Sequence, residues 1–348
     1  MVIDDREAKF FRYKLNEGDR GFDPASPITI ATVGEVNSFA GDMITQDWDS
    51  DYNDDVVYFG VVEGDELSPS GGLYRYVATN ARSGVSGVEL MVDVNQPVLE
   101  KPLLKSAAGK NWVLFGTGRY LTSVDVEDNN QNNFYGVIEP QGTYSSVPLA
   151  SLLDVTGVNV KADTIDINGN VTASGGDISP PVNGQTTFNQ LRAHILSDTS
   201  VNGWKYRFPL GPPSSKNTAP AVSFRNLVFY TFFVPPVPDG NQCQGEFGTS
   251  FVTGADIVTG TASYTAGFAG TFGTDANGDL NLTETFGKGA STGIDLLVVA
   301  NPYGTANGGK GSKLLLRGGT DAGEVPDVSG AIAPRPYGRT SWRELEVQ

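Results

Sequence analysis

Short runs of β-branched and aromatic residues, each followed by turn-forming residues, recur along this chain of 348 residues. Clear examples are residues 56–62, 112–121 and 227–234. Turn formers are abundant, with 43 Gly and 20 Pro, and the longest segment with apolar residues at helical spacing is 187–196. That segment allows only about two to three turns of helix. Many short strands joined by turns predict an all-β fold, either a sandwich, a barrel or a propeller.

The spacing of the runs bears on how the strands are organised. No regular repeat emerges, so a WD-type array is not indicated, but degenerate propeller blades of about 40–50 residues fit the spacing. Radial repetition of sheets is one way to protect sheet edges. A pair of β-sandwiches remains an alternative. Residues 141–203 are more polar and rich in Gly and Ser, and we interpret them as an insertion.

An aspartate-rich segment, residues 47–55, directly precedes one of these runs. Its sequence, DWDSDYNDD, places carboxylates at the first, third and fifth positions, which are Asp47, Asp49 and Asp51. The backbone carbonyl of Asn53 and the carboxylate of Asp55 extend this set of oxygens, and calcium takes about six to eight oxygen ligands. Without a cation, carboxylates this close repel one another. The spacing therefore predicts a Ca²⁺ site with Asp47, Asp49, Asp51, Asn53 and Asp55 as ligands.

The surroundings of this segment differ from those of a helical EF-hand. An EF-hand loop needs Gly at its sixth position and a bidentate Glu at its twelfth, and here those positions hold Tyr52 and Tyr58. The apolar residues that follow, 56–62, are typical of a buried strand. The cation would therefore hold a loop that enters a β-strand. A solvated acidic turn is the alternative, and we expect Trp48 and Tyr52 to pack against a neighbouring blade.

A second segment repeats part of the oxygen pattern. Asp275, Asn277 and Asp279 stand at alternate positions, but the ninth position is Thr283, which leaves the set one carboxylate short. A glycine-containing hairpin turn explains the same residues and is the favoured interpretation. A second calcium site here is the less favoured one.

The overall charge and the scarcity of Cys and His limit the function classes. The formal net charge is −16, and a polyanion of this kind is a poor general ligand for nucleic acid or anionic lipid. Cys243 is the only cysteine and His194 the only histidine, so an intrachain disulfide framework and histidine-rich metal sites are excluded. No segment approaches the roughly 20 apolar residues of a membrane span. No motif indicates catalysis, and we expect no enzyme activity.

The segment Gly116-Thr117-Gly118 superficially resembles a phosphate-binding loop. A dinucleotide-binding fingerprint needs a third glycine and a following helix, whereas residues 119–121 are expected to continue the strand. Glycines within a strand more often mark a bulge or a close approach of two backbones. We therefore interpret these glycines as structural.

Four further segments follow one another in a recognisable order. They are DVVYFG (55–60) with GLYR (72–75), LFGTGRYL (114–121) with QNNFYGV (131–137), GW (203–204) with VFYT (228–231), and TSWREL (340–345). Together they resemble the C-terminal β-propeller of the PilC/PilY family of type IV pilus assembly and tip-associated adhesins. The second pair is the most specific, and the resemblance covers about two-thirds of the chain.

This resemblance implies a fold, a location and partners. The fold would be a modified or partial β-propeller with degenerate antiparallel blades, in which residues 1–348 form one domain or its C-terminal part and residues 1–40 form an incomplete leading segment. The family's long N-terminal region does not match this chain, so that region is expected on a longer protein or a separate chain. The location would be the cell surface or pilus tip, outside the cell.

The resemblance also implies a function, which is calcium-dependent control of pilus extension and retraction together with attachment to a surface or host cell. Pilins and minor pilins would be the partners. Two alternatives stay open. One is a calcium-stabilised propeller enzyme, quinoprotein-like or active on glycans, and the other is a carbohydrate-binding module unrelated to pili.

Overall fold

The computed structural model of the chain describes residues 37–265 with short gaps, and separate strands on either side of this range. The gaps are residues 53, 66, 78–86, 141–144, 163, 166–170, 174, 212 and 237–247. The separate segments are residues 8–12, 28–33, 268–269, 279, 283–290, 295–300 and 312–317.

The chain forms short strands almost throughout the described ranges. The strands before residue 155 are β1 (Ala8–Arg12), β2 (Ile28–Val33), β3 (Phe39–Gln46), β4 (Val56–Glu63), β5 (Ser70–Val77), β6 (Gly87–Asp93), β7 (Leu103–Ala107), β8 (Lys110–Gly116), β9 (Asn133–Ile138) and β10 (Leu153–Asp154). The later strands are β11 (Asn159–Val160), β12 (Thr164–Ile165), β13 (Val171–Ala173), β14 (Asp177–Val182), β15 (Gln185–Thr187), β16 (Gly203–Arg207), β17 (Val222–Phe224), β18 (Leu227–Val234), β19 (Gly248–Asp256), β20 (Tyr264–Thr265), β21 (Phe268–Ala269), β22 (Thr283–Ala290), β23 (Asp295–Ala300) and β24 (Ser312–Arg317). Two short 3₁₀ segments, Ser123–Val126 and Leu149–Ser151, and one α-helix, α1 (Phe188–Ser197), complete the described elements.

Three larger sheets form the body of the described structure. The first sheet is the antiparallel meander β3-β4-β5-β6, the second has the order β10-β16-β9-β8-β7, and the third has the order β17-β18-β19-β22. Within them all neighbouring strands are antiparallel except β10 and β16. The remaining strands form small sheets of two or three strands. The expected all-β architecture is therefore confirmed.

The second sheet is buried on both faces, because the two sets of alternating side chains enter different cores. Val113 and Phe115 of β8 lie in one cluster with Val56 and Tyr58 of the first sheet. The intervening residues Trp112 and Leu114 lie in the other cluster, together with Val228, Tyr230 and Phe232 of the third sheet. Phe134 of β9 stacks on Tyr230, with ring centroids 3.8 Å apart and an interplanar angle of 4°. Consecutive sheets therefore stack face to face, as the blades of a propeller do.

The chain leaves the second sheet after β9 and returns to it with β16. These strands pair antiparallel, with Val137 opposite Gly203 and Asn133 opposite Arg207. The excursion between them contains β10–β15 and α1. It overlaps residues 141–203, whose assignment as an insertion stays a prediction about domain organisation.

The single described α-helix lies in this excursion, where residues 187–196 predicted it. The Oγ1 atom of Thr187 accepts a hydrogen bond from the backbone N–H of Gln190 at 3.2 Å, so Thr187 caps the N-terminus. Phe188, Leu191 and Ile195 are the buried residues of the helix, and they form one apolar face. The described residues include no helix with the length and apolar character of a membrane span.

The prediction that residues 119–121 continue the strand is wrong. Strand β8 ends at Gly116, and Gly118 has a φ of +128°, which a side chain would strain. The Asp125 carboxylate accepts hydrogen bonds from the backbone N–H groups of Leu121 at 2.7 Å and Thr122 at 2.8 Å. It also pairs with Arg119, whose Nε atom lies 2.7 Å from Oδ1. A buried carboxylate thus replaces the strand's hydrogen bonds and turns the chain.

The expectation that Gly116 marks a close approach is confirmed by its neighbours. A Cβ atom at Gly116 would lie 2.4 Å from Cγ of Asn217. Asn217 cannot move easily, because its Nδ2 atom donates to the carbonyls of Thr231 at 2.8 Å and Ala219 at 3.0 Å. Its backbone N–H also donates to the carbonyl of Thr117 at 3.0 Å. The glycine therefore allows a segment that connects the second and third sheets to pass close to β8.

We predict that Gly116→Ala lowers the free energy of unfolding by about 1–3 kcal/mol, because overpacking at a buried contact displaces the Asn217 amide. Urea unfolding followed by tryptophan fluorescence measures this change. Gly211→Ala is the matched control, because no atom lies within 4 Å of a Cβ at Gly211. Equal stability of the two variants would contradict the close approach.

Candidate metal centre

The aspartate-rich segment forms the loop between β3 and β4, and the strand pairing fixes both of its ends. Gln46 is the last residue of β3 and lies opposite Val56, the first residue of β4. The backbone N–H of Asp55 also donates to the carbonyl of Gln46 at 2.9 Å. Residues 47–55 therefore form a compact loop at one end of the first sheet, and we call it the acidic loop.

Three carboxylates of the acidic loop converge. Among the described residues, Asp47, Asp49 and Asp55 form a group in which one oxygen of each lies within 4.8 Å of the others. Two oxygens bound to the same calcium ion at about 2.3–2.6 Å lie at most about 5 Å apart. Asp55 is buried, and Asp47 and Asp49 are half-buried. The group thus has the chemistry and the spacing of a partial calcium shell.

Backbone N–H groups orient these carboxylates. Asp47 accepts from Ser50 at 2.6 Å through Oδ1 and from Tyr52 at 2.8 Å through Oδ2. Asp55 accepts from the N–H of Trp48 at 2.8 Å. A carboxylate oxygen has two lone pairs, so an oxygen that accepts one N–H can also bind a cation. The loop therefore holds its acidic groups in place with its own backbone.

The same hydrogen bonds keep Asp47 ionised. Partial removal from bulk water raises the pKa of this carboxyl, but the N–H groups of residues 49–52, Tyr52 first among them, outweigh that effect. The pKa of Asp47 therefore lies below its usual value. An ionised carboxylate is the form that binds a hard cation.

Two predicted ligands are not placed in this group. The side chain of Asp51 is exposed, and its carboxylate is not among the three that converge. Asn53 lies outside the described residues. Their roles as ligands stay predictions, as does the calcium site itself.

The two aromatic residues of the loop have different positions. Trp48 is half-buried and packs against the apolar cluster between the first and second sheets, as expected. Tyr52 is 99% exposed, so the expectation that it packs is wrong. Tyr52 has a φ of +72°, and Ser50 also has a positive φ, +61°. Left-handed backbone at two non-glycine positions shows how tightly the loop turns.

A buried polar group behind the loop was not anticipated from the sequence. Glu139 accepts from the hydroxyl of Tyr58 at 2.8 Å and from Nη1 of Arg75 at 2.7 Å. Arg75 also pairs with Glu89 at 3.2 Å. Tyr58 and Glu139 are 81 residues apart in the sequence, and Arg75 and Glu139 are 64 apart. No local pattern of residues could have brought them together.

Burial controls the protonation of Glu139. It raises the pKa of this carboxyl to about 7, although the Arg75 guanidinium and the hydrogen bond from Tyr58 act in the opposite direction. The nearby Glu89 adds to the increase. Burial and Glu139 together raise the pKa of Tyr58 well above its usual value, so Tyr58 stays protonated.

The other candidate sites do not gain support. Asp279 pairs with Lys161, whose Nζ lies 2.7 Å from Oδ1, while Asp275 and Asn277 lie outside the described residues. The Nε2 atom of His194 lies 2.8 Å from Nδ2 of Asn183, and its Nδ1 lies 3.7 Å from Asp198. Cys243 lies outside the described residues. The second calcium site stays a prediction.

Comparison with known proteins finds a curated relative and a solved structure that resemble this chain. The type IV pilus biogenesis factor PilY1 homolog of Xylella fastidiosa (strain Temecula1) is 26% identical over 259 residues, which cover 72% of this chain. The crystal structure of the Pseudomonas aeruginosa PilY1 C-terminal domain matches with a TM-score of 0.55 and 15% identity, over 90% of this chain and 65% of that domain. No family model matches.

These comparisons confirm two of the expectations from sequence. The resemblance to the C-terminal domain of the PilC/PilY family is confirmed by both proteins, and the propeller-like fold is confirmed by the structural match. The chain spans 18% of the length of the Xylella relative. The function of that whole protein can therefore only be proposed for this chain.

We predict that Glu139→Gln removes a pH dependence of stability between about pH 4.5 and 7. Because the pKa of Glu139 is raised from 4.5 to about 7 on folding, its contribution to stability is fully present below pH 4.5 and is lost as the pH rises through 7. The unfolding free energy of the wild type minus that of the variant should therefore be more positive at pH 5 than at pH 7.5.

Urea unfolding at the two pH values measures this difference, and Glu127→Gln, which removes an exposed carboxylate, is the control. A constant difference between wild type and Glu139→Gln would show that Glu139 does not titrate in this range.

Proposed function

We propose that this chain is a calcium-binding β-propeller of a type IV pilus-associated protein, and that calcium in the acidic loop regulates its part in pilus extension, retraction and attachment. The observation that carries the calcium assignment is the convergence of Asp47, Asp49 and Asp55 within 4.8 Å. The link to pili rests on the similarity to the two PilY1 proteins. No enzymatic step is part of this proposal.

The physical basis of the calcium effect is relief of repulsion. Three carboxylates of like charge lie within a few ångströms and share a loop that is only partly shielded from water. A divalent cation neutralises them and keeps the loop in its compact conformation. Binding to the folded form stabilises it by RT ln(1 + [L]/Kd), about 2.7 kcal/mol at a hundredfold excess of calcium over Kd.

The proposed role in pili follows from what the relatives are. The curated relative is described as a type IV pilus biogenesis factor. By analogy, this chain would act at the cell surface or pilus tip and would contact pilins, minor pilins or a surface ligand. The net charge of −16 suits an extracellular setting, where divalent cations screen acidic surfaces.

We predict that calorimetric titration of the chelator-treated protein shows saturable calcium binding and that calcium raises the melting temperature. Asp49→Asn should weaken binding by more than about tenfold, since the ligand charge count sets the affinity of such loops. Asp42→Asn is the matched control, because Asp42 is an exposed aspartate on β3 outside the acidic loop. Binding of equal strength in all three proteins would overturn the calcium site.

A second experiment tests the link to pili. Immobilised protein should retain purified minor pilins in calcium and release them in chelator, because the ordered loop would form part of the docking surface. Asp49→Asn should fail to retain them in either buffer. If minor pilins are retained equally with and without calcium, and equally by Asp49→Asn, then pilin binding does not depend on the acidic loop.

A further inference from the structure

A chain of hydrogen bonds runs from the acidic loop into the interface between the first and second sheets. The indole Nε1 of Trp48 donates to the hydroxyl of Tyr58 at 2.9 Å, and that hydroxyl donates to Oε2 of Glu139 at 2.8 Å. The other carboxylate oxygen of Glu139 accepts from Arg75 at 2.7 Å. The side chains of Arg75 and Glu139 are 0% and 1% exposed, so the inner part of the chain is shielded from water.

We propose that Tyr58 is a positioning residue for the acidic loop, acting through Trp48, and that the Glu139–Arg75 pair couples calcium binding to the contact between the two sheets. This inference rests on the proposed calcium function and adds how the site is regulated.

The direction of the hydrogen bonds makes Tyr58 suited to this role. An indole N–H can only donate, and the carboxylate of Glu139 can only accept once it is ionised, above its pKa of about 7. The Tyr58 hydroxyl has one proton, and giving it to Glu139 leaves a lone pair that faces Trp48. Glu139 therefore fixes the orientation of the hydroxyl, and the hydroxyl fixes the position of the indole.

The position of Trp48 in turn affects the carboxylates. Trp48 stands between Asp47 and Asp49 in the sequence, and its backbone N–H donates to Oδ2 of Asp55 at 2.8 Å. Its ring meets Tyr58 edge to face, with centroids 6.5 Å apart. A shift of the indole therefore moves the backbone that carries two of the converging carboxylates and releases the third.

The far end of the chain belongs to the sheet interface. Glu139 directly follows β9, and its backbone N–H donates to the carbonyl of Asn111 in β8 at 2.9 Å. Arg75 belongs to β5 of the first sheet. Their contact joins the two sheets, and thermodynamic linkage requires that any effect of this contact on calcium affinity is matched by an equal effect of calcium on the contact.

The test compares two buried tyrosines of the same interface. Tyr58→Phe keeps the ring and removes both hydrogen bonds, and we expect calcium affinity to fall about fivefold or more. Tyr135→Phe is the matched control. Tyr135 is also buried between these sheets, and its hydroxyl donates to Oε1 of Gln96 at 2.9 Å, but among the described residues no hydrogen bond joins it to the acidic loop. Both variants should lose thermal stability without calcium, and only Tyr58→Phe should lose calcium affinity.

Glu139→Gln supplies a second variant that keeps the shape of the side chain. It should lower calcium affinity as Tyr58→Phe does, and the double variant should be little worse than either single one, because both act through one chain of contacts. Unchanged affinity in both single variants, with calcium binding intact in the wild type, would overturn the coupling alone. Absence of calcium binding in the wild type would overturn the proposed function and the coupling with it.

Discussion

Burial of the second sheet on both faces is the constraint on which the rest of the described structure depends. Alternating residues of β8 and β9 point into different cores, so the sheet needs a neighbour on each side. Val113 and Tyr135 need the first sheet, whereas Trp112 and Phe134 need the third. In interiors packed this closely, a missing methyl group leaves a cavity and an added one displaces a neighbour. Position 116 is therefore a glycine, because a side chain there would overlap with Asn217.

Charge enters this apolar interface as a pair, Arg75 with Glu139. Arg75 is fully buried, and its guanidinium contacts two carboxylates, Glu139 and Glu89. An intact buried pair adds little net stability, but removing one member leaves an uncompensated buried charge and is strongly destabilising. The acidic loop lies at the edge of the same interface, and Trp48 is the residue that belongs to both. The packing of Trp48 in the interior therefore opposes the repulsion among Asp47, Asp49 and Asp55.

The sequence predicted the elements that depend on local patterns. The runs at 56–62 and 227–234 became β4 and β18, and the single described helix formed where an apolar face followed Thr187. The convergence of Asp47 and Asp55 also followed the spacing, because a hairpin brings the two ends of such a loop together. Residues 119–121 were misjudged, because Asp125 accepts hydrogen bonds from the N–H groups of Leu121 and Thr122. The Glu139 group was missed because its members meet only through the stacking of sheets.

The excursion between β9 and β16 has a consequence for how the protein is made. Trp204 of β16 lies opposite Gly136 of β9 and packs on Phe134, so the second sheet lacks one of its two tryptophans until residue 204 has been synthesised. Until then β8 and β9 expose an aromatic face and an unpaired strand edge, the kind of surface on which nascent chains associate wrongly. A longer excursion would delay the pairing of β16 with β9. It would cost little stability, since each doubling of a flexible loop adds only about 0.6 kcal/mol to the free energy of loop closure. A longer segment would therefore cost little thermodynamic stability, while it would lengthen the time for which the unfinished sheet stays uncovered during synthesis.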